Sequence, residues 1–174
     1  MWWIKKKKRP KLTKEQRLLL KLNPAHQRSE LIKKLDDTFS LIVRIEGGWE
    51  CVKCHRIYAP TLDKNGIPRQ RLMTTSHYFG RGDTGGRWEK KNCDPMDIFC
   101  HQKVENNKER TIEGFNYKQY MIDKLGQDEY NRLEVVCNGI TKYTSFELGI
   151  LLKEMQKELH DLINRSAASG TAAY

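Results

Sequence analysis

The stretch that most constrains this chain runs from Cys51 to Asn107, opening with Cys-Val-Lys-Cys (51–54) and closing around Asp97-Ile-Phe-Cys100-His101. A Cys-x-x-Cys pair lets one tight turn aim two thiolates at a single tetrahedral ion. Asp97 and Cys100 repeat that spacing with a carboxylate in place of one thiolate, and zinc accepts carboxylate oxygen. Cys51, Cys54, Asp97 and Cys100 therefore form a candidate zinc set, with Cys93 or His55 as substitutes for the fourth ligand. A carboxylate is a harder donor than a thiolate, so such a site is expected to be weaker than a four-cysteine one. Two buried cysteines without a metal are the alternative reading. Cys137 stands apart and reads as a core residue. Five cysteines, an odd number with two in Cys-x-x-Cys, suggest thiols kept reduced for metal, and so a cytoplasmic protein.

Between and beside the two knuckles lie residues suited to hydrolysis. Cleaving a phosphodiester needs an activated water, a Lewis acid on the phosphate and stabilisation of the leaving oxygen. His77 follows Leu72-Met-Thr-Thr, which reads as a strand, and its ring could act as general base near neutral pH. Asn92 could fix the tautomer of that imidazole through its side-chain carbonyl. His101 follows Cys100 at a helix start and would bind a divalent ion, with Glu105 one helical turn later as a second ligand. A single histidine means little. The order Cys-x-x-Cys, His, Asn, Asp-x-x-Cys and an immediate His is specific.

Charge points to the partner. The net charge of +10 over 174 residues is a large surplus, and nucleic acid is its commonest match. Lys5, Lys6, Lys7, Lys8 and Arg9 head a basic arm, residues 1–27, which reads either as a phosphate-binding segment or as a solubilising tail. Arg81 and Arg87 lie in a loop with Gly80, Gly82, Gly85 and Gly86. That loop lacks the GK[ST] of a nucleotide-binding loop and reads as one lying against a nucleic-acid backbone, or simply as loop geometry. No run of ~18 apolar residues exists to cross a membrane, and Met-Trp-Trp-Ile precedes its lysines, the reverse of a secretory signal.

Helices flank this core. From Ser29 as N-cap, Leu31, Ile32, Leu35, Phe39, Ile42 and Val43 recur at helical spacing up to Gly47-Gly48. Asp63–Gly66 is a turn signal within a hairpin. Two short helices, Tyr117–Leu125 and Gln127–Val136, are split by Gly126. A long helix over 145–164 starts at a Thr144/Glu147 capping box. Its seam of Leu148, Leu152, Met155, Leu159 and Leu162 suits packing on the first helix and also suits a homodimer. Residues 166–174 read as a frayed tail.

Taken in order, these motifs resemble the HNH nuclease superfamily and, more narrowly, the NinG (Rap) family of phage recombination endonucleases. The resemblance rests on Ser76-His77-Tyr78, on Arg87-Trp-Glu-Lys-Lys-Asn92 and on Cys100-His-Gln-Lys103. The run Tyr117–Gly126 and the long last helix are similar to that family's layout, so the likeness spans residues 29–165. It implies an α+β fold: a zinc-stapled strand–strand–helix (ββα-metal) core at 51–107, with helical flanks at 29–46 and 117–165. These would form one nuclease domain, 28–165. It also implies cleavage of branched recombination DNA, such as Holliday-junction-like or D-loop forms, with Mg2+ or Mn2+ at the phosphate. The compartment would be the cytoplasm of a host bacterium for a phage-encoded chain. By position, His77 matches the general base, Asn92 the middle asparagine and His101 the last residue of the motif. Asp97 stands where a knuckle cysteine is usual, and Ser76 where many HNH enzymes carry a metal-binding aspartate. Two rival readings are an HNH nicking enzyme of homing or restriction type acting on linear duplex, and a zinc-containing nucleic-acid-binding module without turnover.

Overall fold

The first long helix, α1 (Pro24–Glu46), starts earlier than the Ser29 that the apolar stripe suggests. The Asn23 side chain accepts a hydrogen bond from Ala25 N at 2.9 Å, and Pro24 supplies a first helical position whose φ is already set. Residues 24–27, expected in the basic arm, are therefore helical. The computed structural model describes residues 13, 14, 19, 21–82 and 85–168. Lys5, Lys6, Lys7, Lys8 and Arg9 lie outside the described residues, as does the expected tail beyond 168.

Downstream of α1 come three two-stranded antiparallel sheets. The first joins β1 (Thr61–Leu62) to β2 (Pro68–Arg69) through the expected turn, where Asp63 Oδ1 accepts from the amides of Asn65 and Ile67. The second, which positions the candidate site, pairs β3 (Met73–His77) with β4 (Cys93–Asp97), from Met73 opposite Asp97 to His77 opposite Cys93. Helix α2 (Ile98–Asn106) follows β4 directly. The third is a small hairpin of β5 (Thr111–Ile112) and β6 (Phe115–Asn116), turned by Glu113 and Gly114, both at positive φ. Helices α3 (Tyr117–Leu125), α4 (Gln127–Asn138) and α5 (Ser145–Ala168) complete the described chain. The architecture is mixed α and β, with five helices among the described residues and a long C-terminal one.

Two cores lie on either side of the β3–β4 hairpin. On one side α1 and α5 bury Leu35, Phe39, Ile42, Val43, Leu148, Leu152 and Met155 together with Cys93. The seam read from the sequence thus meets α1. The capping box forms as expected: Glu147 N donates to Thr144 Oγ1 at 3.2 Å, and Thr144 N donates to Glu147 Oε2 at 2.6 Å. On the other side Met96, Val104, Tyr117, Met121, Tyr130 and Leu133 pack with Trp49 and Cys51. Alternation along the strands sends Ser76 and Asp94 toward α3, where Asp94 meets the hydroxyls of Tyr117 and Tyr120 and the Lys124 ammonium. Ser76 is fully buried there, so it does not reach the open edge of β3. No helix among the described residues is long and apolar enough to cross a membrane.

Candidate functional site

Three thiols converge where the Cys51–Cys54 turn meets the first turn of α2. The Sγ atoms of Cys51, Cys54 and Cys100 all lie within 4.8 Å of one another, which makes them a group able to hold a metal ion. The turn is closed by Cys51 N donating to Arg56 O at 3.0 Å and His55 N donating to Cys51 O at 2.8 Å, with His55 at φ 55. Burial, together with the neighbouring Cys51 and Cys54 sulfurs, pushes the Cys100 thiol up to about 12. Burial also acts to raise Cys54, but the Arg56 backbone and the Cys51 thiol outweigh it, so this thiol ionises below its ordinary value. Crowded thiolates repel one another, and a divalent cation removes that penalty.

Asp97 is placed differently from the expected fourth ligand. Its Oδ1 accepts from Phe99 N at 2.7 Å and from Cys100 N at 3.2 Å, capping α2, and its Oδ2 accepts the Tyr58 hydroxyl. Burial opposes its ionisation, but Tyr58 and those amides outweigh burial and keep it a carboxylate. The two substitutes are also engaged elsewhere. Cys93 is buried in the core of α1 and α5, and His55 Nδ1 pairs with Glu50 Oε1 at 2.7 Å.

A cleft of about 390 Å³ opens beside the knuckle, lined by Arg44, Thr74, His77, Arg81, His101 and Glu105 among others. Successive strand residues point to opposite faces, so a cleft that touches Met73, Thr74, Thr75 and His77 runs along the open edge of β3. His77, at the end of that strand, is 8% exposed. Its Nε2 lies 3.0 Å from the Arg87 carbonyl oxygen, and its ring sits 6.1 Å from that of Phe39. Burial, with a smaller contribution from the Arg81 charge, lowers its pKa to about 4. On α2, His101 Nδ1 lies 3.0 Å from Thr74 Oγ1 and its Nε2 lies 3.5 Å from Glu105 Oε1. Burial holds His101 below its ordinary pKa although Glu105 pulls the other way, so its ring is neutral at pH 7. A neutral imidazole nitrogen and a carboxylate oxygen thus lie 3.5 Å apart at the cleft.

Asn92 does not bond the His77 ring directly, contrary to expectation. It is fully buried, its Oδ1 accepts from Phe79 N at 2.9 Å, and its Nδ2 donates to Gly86 O at 2.9 Å. The side chain therefore ties the two ends of the glycine loop together. What meets the His77 ring is the Arg87 carbonyl. Arg87 likewise departs from the loose, phosphate-facing role expected of it. Its Nε and Nη2 reach Asp36 Oδ1 and Oδ2 at 3.0 and 2.7 Å, and Trp88 Nε1 donates to the same carboxylate at 3.0 Å. Arg81, by contrast, is exposed and lines the cleft.

Two arginines escaped the sequence reading. Arg44 lines the cleft, with Nε donating to Ser40 O at 2.9 Å and Nη1 reaching Met73 O at 3.2 Å. A lone charge inside Leu41-Ile-Val-Arg-Ile was its signal, because a cation in an apolar helical run must find polar partners. Arg110, at φ 51, donates to the carbonyls of His77 and Tyr78 and so holds the backbone of the candidate base. Nothing local in the sequence marks it. No family model matches this chain, and neither a curated protein nor a solved structure does.

Proposed function

We propose that this chain is a metal-dependent DNA endonuclease with an HNH-type strand–strand–helix core, stapled by zinc on Cys51, Cys54 and Cys100. The observation that carries the reading is the meeting of His77, His101 and Glu105 in one cleft beside a three-thiol cluster. Thiolates are the soft donors that zinc favours, which supports zinc over magnesium at the knuckle. His77 serves as the general base. A carbonyl oxygen only accepts, so the contact with Arg87 O places the ring proton on Nε2 and leaves the Nδ1 lone pair free to take a proton from water. The lowered pKa keeps that lone pair available at neutral pH. His101 and Glu105 would hold Mg2+ or Mn2+. When bound there, the ion supplies the Lewis acid that polarises the phosphate and stabilises the leaving oxygen. Arg81 and Arg44 add positive charge where a phosphate would enter. The basic surplus of +10 favours DNA, and the resemblance to recombination endonucleases favours branched DNA as substrate.

The deciding experiment compares matched linear and four-way DNA with Mg2+ or Mn2+, with and without chelator. Cleavage of the junction in preference to the duplex, abolished by chelator, is the expected result. Equal nicking of the linear duplex would favour a homing- or restriction-type enzyme. Salt-dependent binding without any cleavage would leave a zinc-containing nucleic-acid-binding module.

A further inference from the structure

We infer that Thr74 is a positioning residue, selecting the His101 tautomer whose Nε2 is free to bind a divalent cation together with Glu105. The inference rests on the endonuclease reading only in supposing that a cation is wanted there; the tautomer itself follows from three contacts. Thr74 Oγ1 donates its only proton to the Met96 carbonyl at 2.8 Å. The same oxygen lies 3.0 Å from His101 Nδ1, and with its proton committed it can only accept. Nδ1 must therefore carry the imidazole hydrogen, which places the lone pair on Nε2. That nitrogen lies 3.5 Å from Glu105 Oε1. Without Thr74 the preference would reverse, because an Nε2–H could donate to the Glu105 carboxylate while Nδ1 had no acceptor.

The placement is built into the register. Thr74 stands opposite Met96 in the β3–β4 ladder, so the strand pairing that presents the Met96 carbonyl also fixes the hydroxyl that meets α2. Valine has the same shape and keeps the β-branched strand residue, but it lacks the oxygen. Serine keeps the oxygen and drops the methyl group.

The test uses the full chain with zinc on its thiols, 15N-labelled at histidine, and reads the tautomer from imidazole nitrogen shifts at pH 7.5. Mn2+ is the cation probe. Parent and Thr74→Ser should show His101 as the Nδ1–H form, and Thr74→Val should shift it toward Nε2–H. Mn2+ should broaden His101 in the parent, and its affinity should fall roughly ten- to a hundredfold in Thr74→Val, with recovery in Thr74→Ser. Zinc content should be equal in all three, which separates this effect from loss of the fold. An Nε2–H tautomer in the parent, or an unchanged tautomer and Mn2+ affinity in Thr74→Val, would overturn the inference. The two readings fail separately. An intact tautomer and Mn2+ response with no cleavage of any DNA removes the nuclease and leaves Thr74 its role. Cleavage that persists with an unmoved tautomer does the reverse.

Discussion

Replacing Asn92 by alanine should be among the most damaging single changes in the molecule, for stability and cleavage together. The side chain is fully buried and makes two good hydrogen bonds, from Phe79 N and to Gly86 O, both at 2.9 Å. Alanine leaves a buried amide and a buried carbonyl without partners, at about 1–3 kcal/mol each. A third contact, to Gly80 O at 3.5 Å, is too long to add much. The sum is about 2–6 kcal/mol, and at about 2–4 °C per kcal/mol for a chain of this size the melting temperature should fall by roughly 4–24 °C. Because the loop so released carries the Arg87 carbonyl, His77 would lose its fixed tautomer. Cleavage should then fall by a factor comparable to loss of His77 itself. Asn92→Asp makes the argument sharper. It retains the acceptor for Phe79 N but sets a carboxylate oxygen against the Gly86 carbonyl, so it should rescue little. Urea unfolding of zinc-loaded protein gives the stability, and junction cleavage gives the activity. An Asn92→Ala protein within about 0.5 kcal/mol of the parent, or an Asn92→Asp protein at parental stability, would refute the reasoning.

Other outcomes follow from the same geometry. Cys51→Ser and Cys54→Ser should each lower bound zinc by elemental analysis and reduce thermal stability. Asp97→Asn should spare the zinc and keep the cap on α2, asparagine capping as well as aspartate, and lose only the carboxylate oxygen that accepts the Tyr58 hydroxyl. His77→Ala should reduce cleavage by roughly 10²–10⁴-fold with DNA affinity nearly unchanged in a gel-shift titration. Burial lowers the His77 pKa to about 4, below its unfolded value of about 6.5, so the folded state binds the proton less readily. Its stabilising contribution is therefore complete above pH 6.5 and lost as the pH falls toward 4, by up to about 3 kcal/mol, and a His77→Gln protein should lack that part of the acid destabilisation. The acid limb of the cleavage profile should lie below the pH 6–7 of an ordinary histidine base, read from single-turnover rates.

The helices were legible because their signals are local. The apolar stripe of α1, the Thr144/Glu147 box and the seam of α5 each lie within a few turns, and α1 and α5 meet along the residues that periodicity marks. The knuckle turn and the third thiol were legible from spacing. Asp97 was misleading because one position carries two local signals. Its spacing from Cys100 suits a metal ligand, and its place just before Ile98 suits an N-cap; the two amides of α2 and the Tyr58 hydroxyl claimed it. The surroundings of His77 were not legible. The Arg87 carbonyl arrives across a loop closed by Asn92, and Arg87 is itself anchored to Asp36 on α1. Such partners are chosen by how elements dock, which no local pattern encodes. The β5–β6 hairpin has two-residue strands, too short for any period to register.

Cys100 and His101 are neighbours in the first turn of α2, yet one faces the thiols and the other faces the cleft. Consecutive residues leave an α-helix about 100° apart, and that angle alone separates the two chemistries. Inserting a single residue between them would swing His101 and Glu105 together away from Thr74 and the cleft while leaving the knuckle complete. The glycine loop before β4 is held by Asn92 at Phe79 and Gly86, and by Arg87 at Asp36 and the His77 ring. Descendants or designed variants of this chain must therefore keep those anchors, and they must carry the Cys-His dipeptide as an indivisible unit.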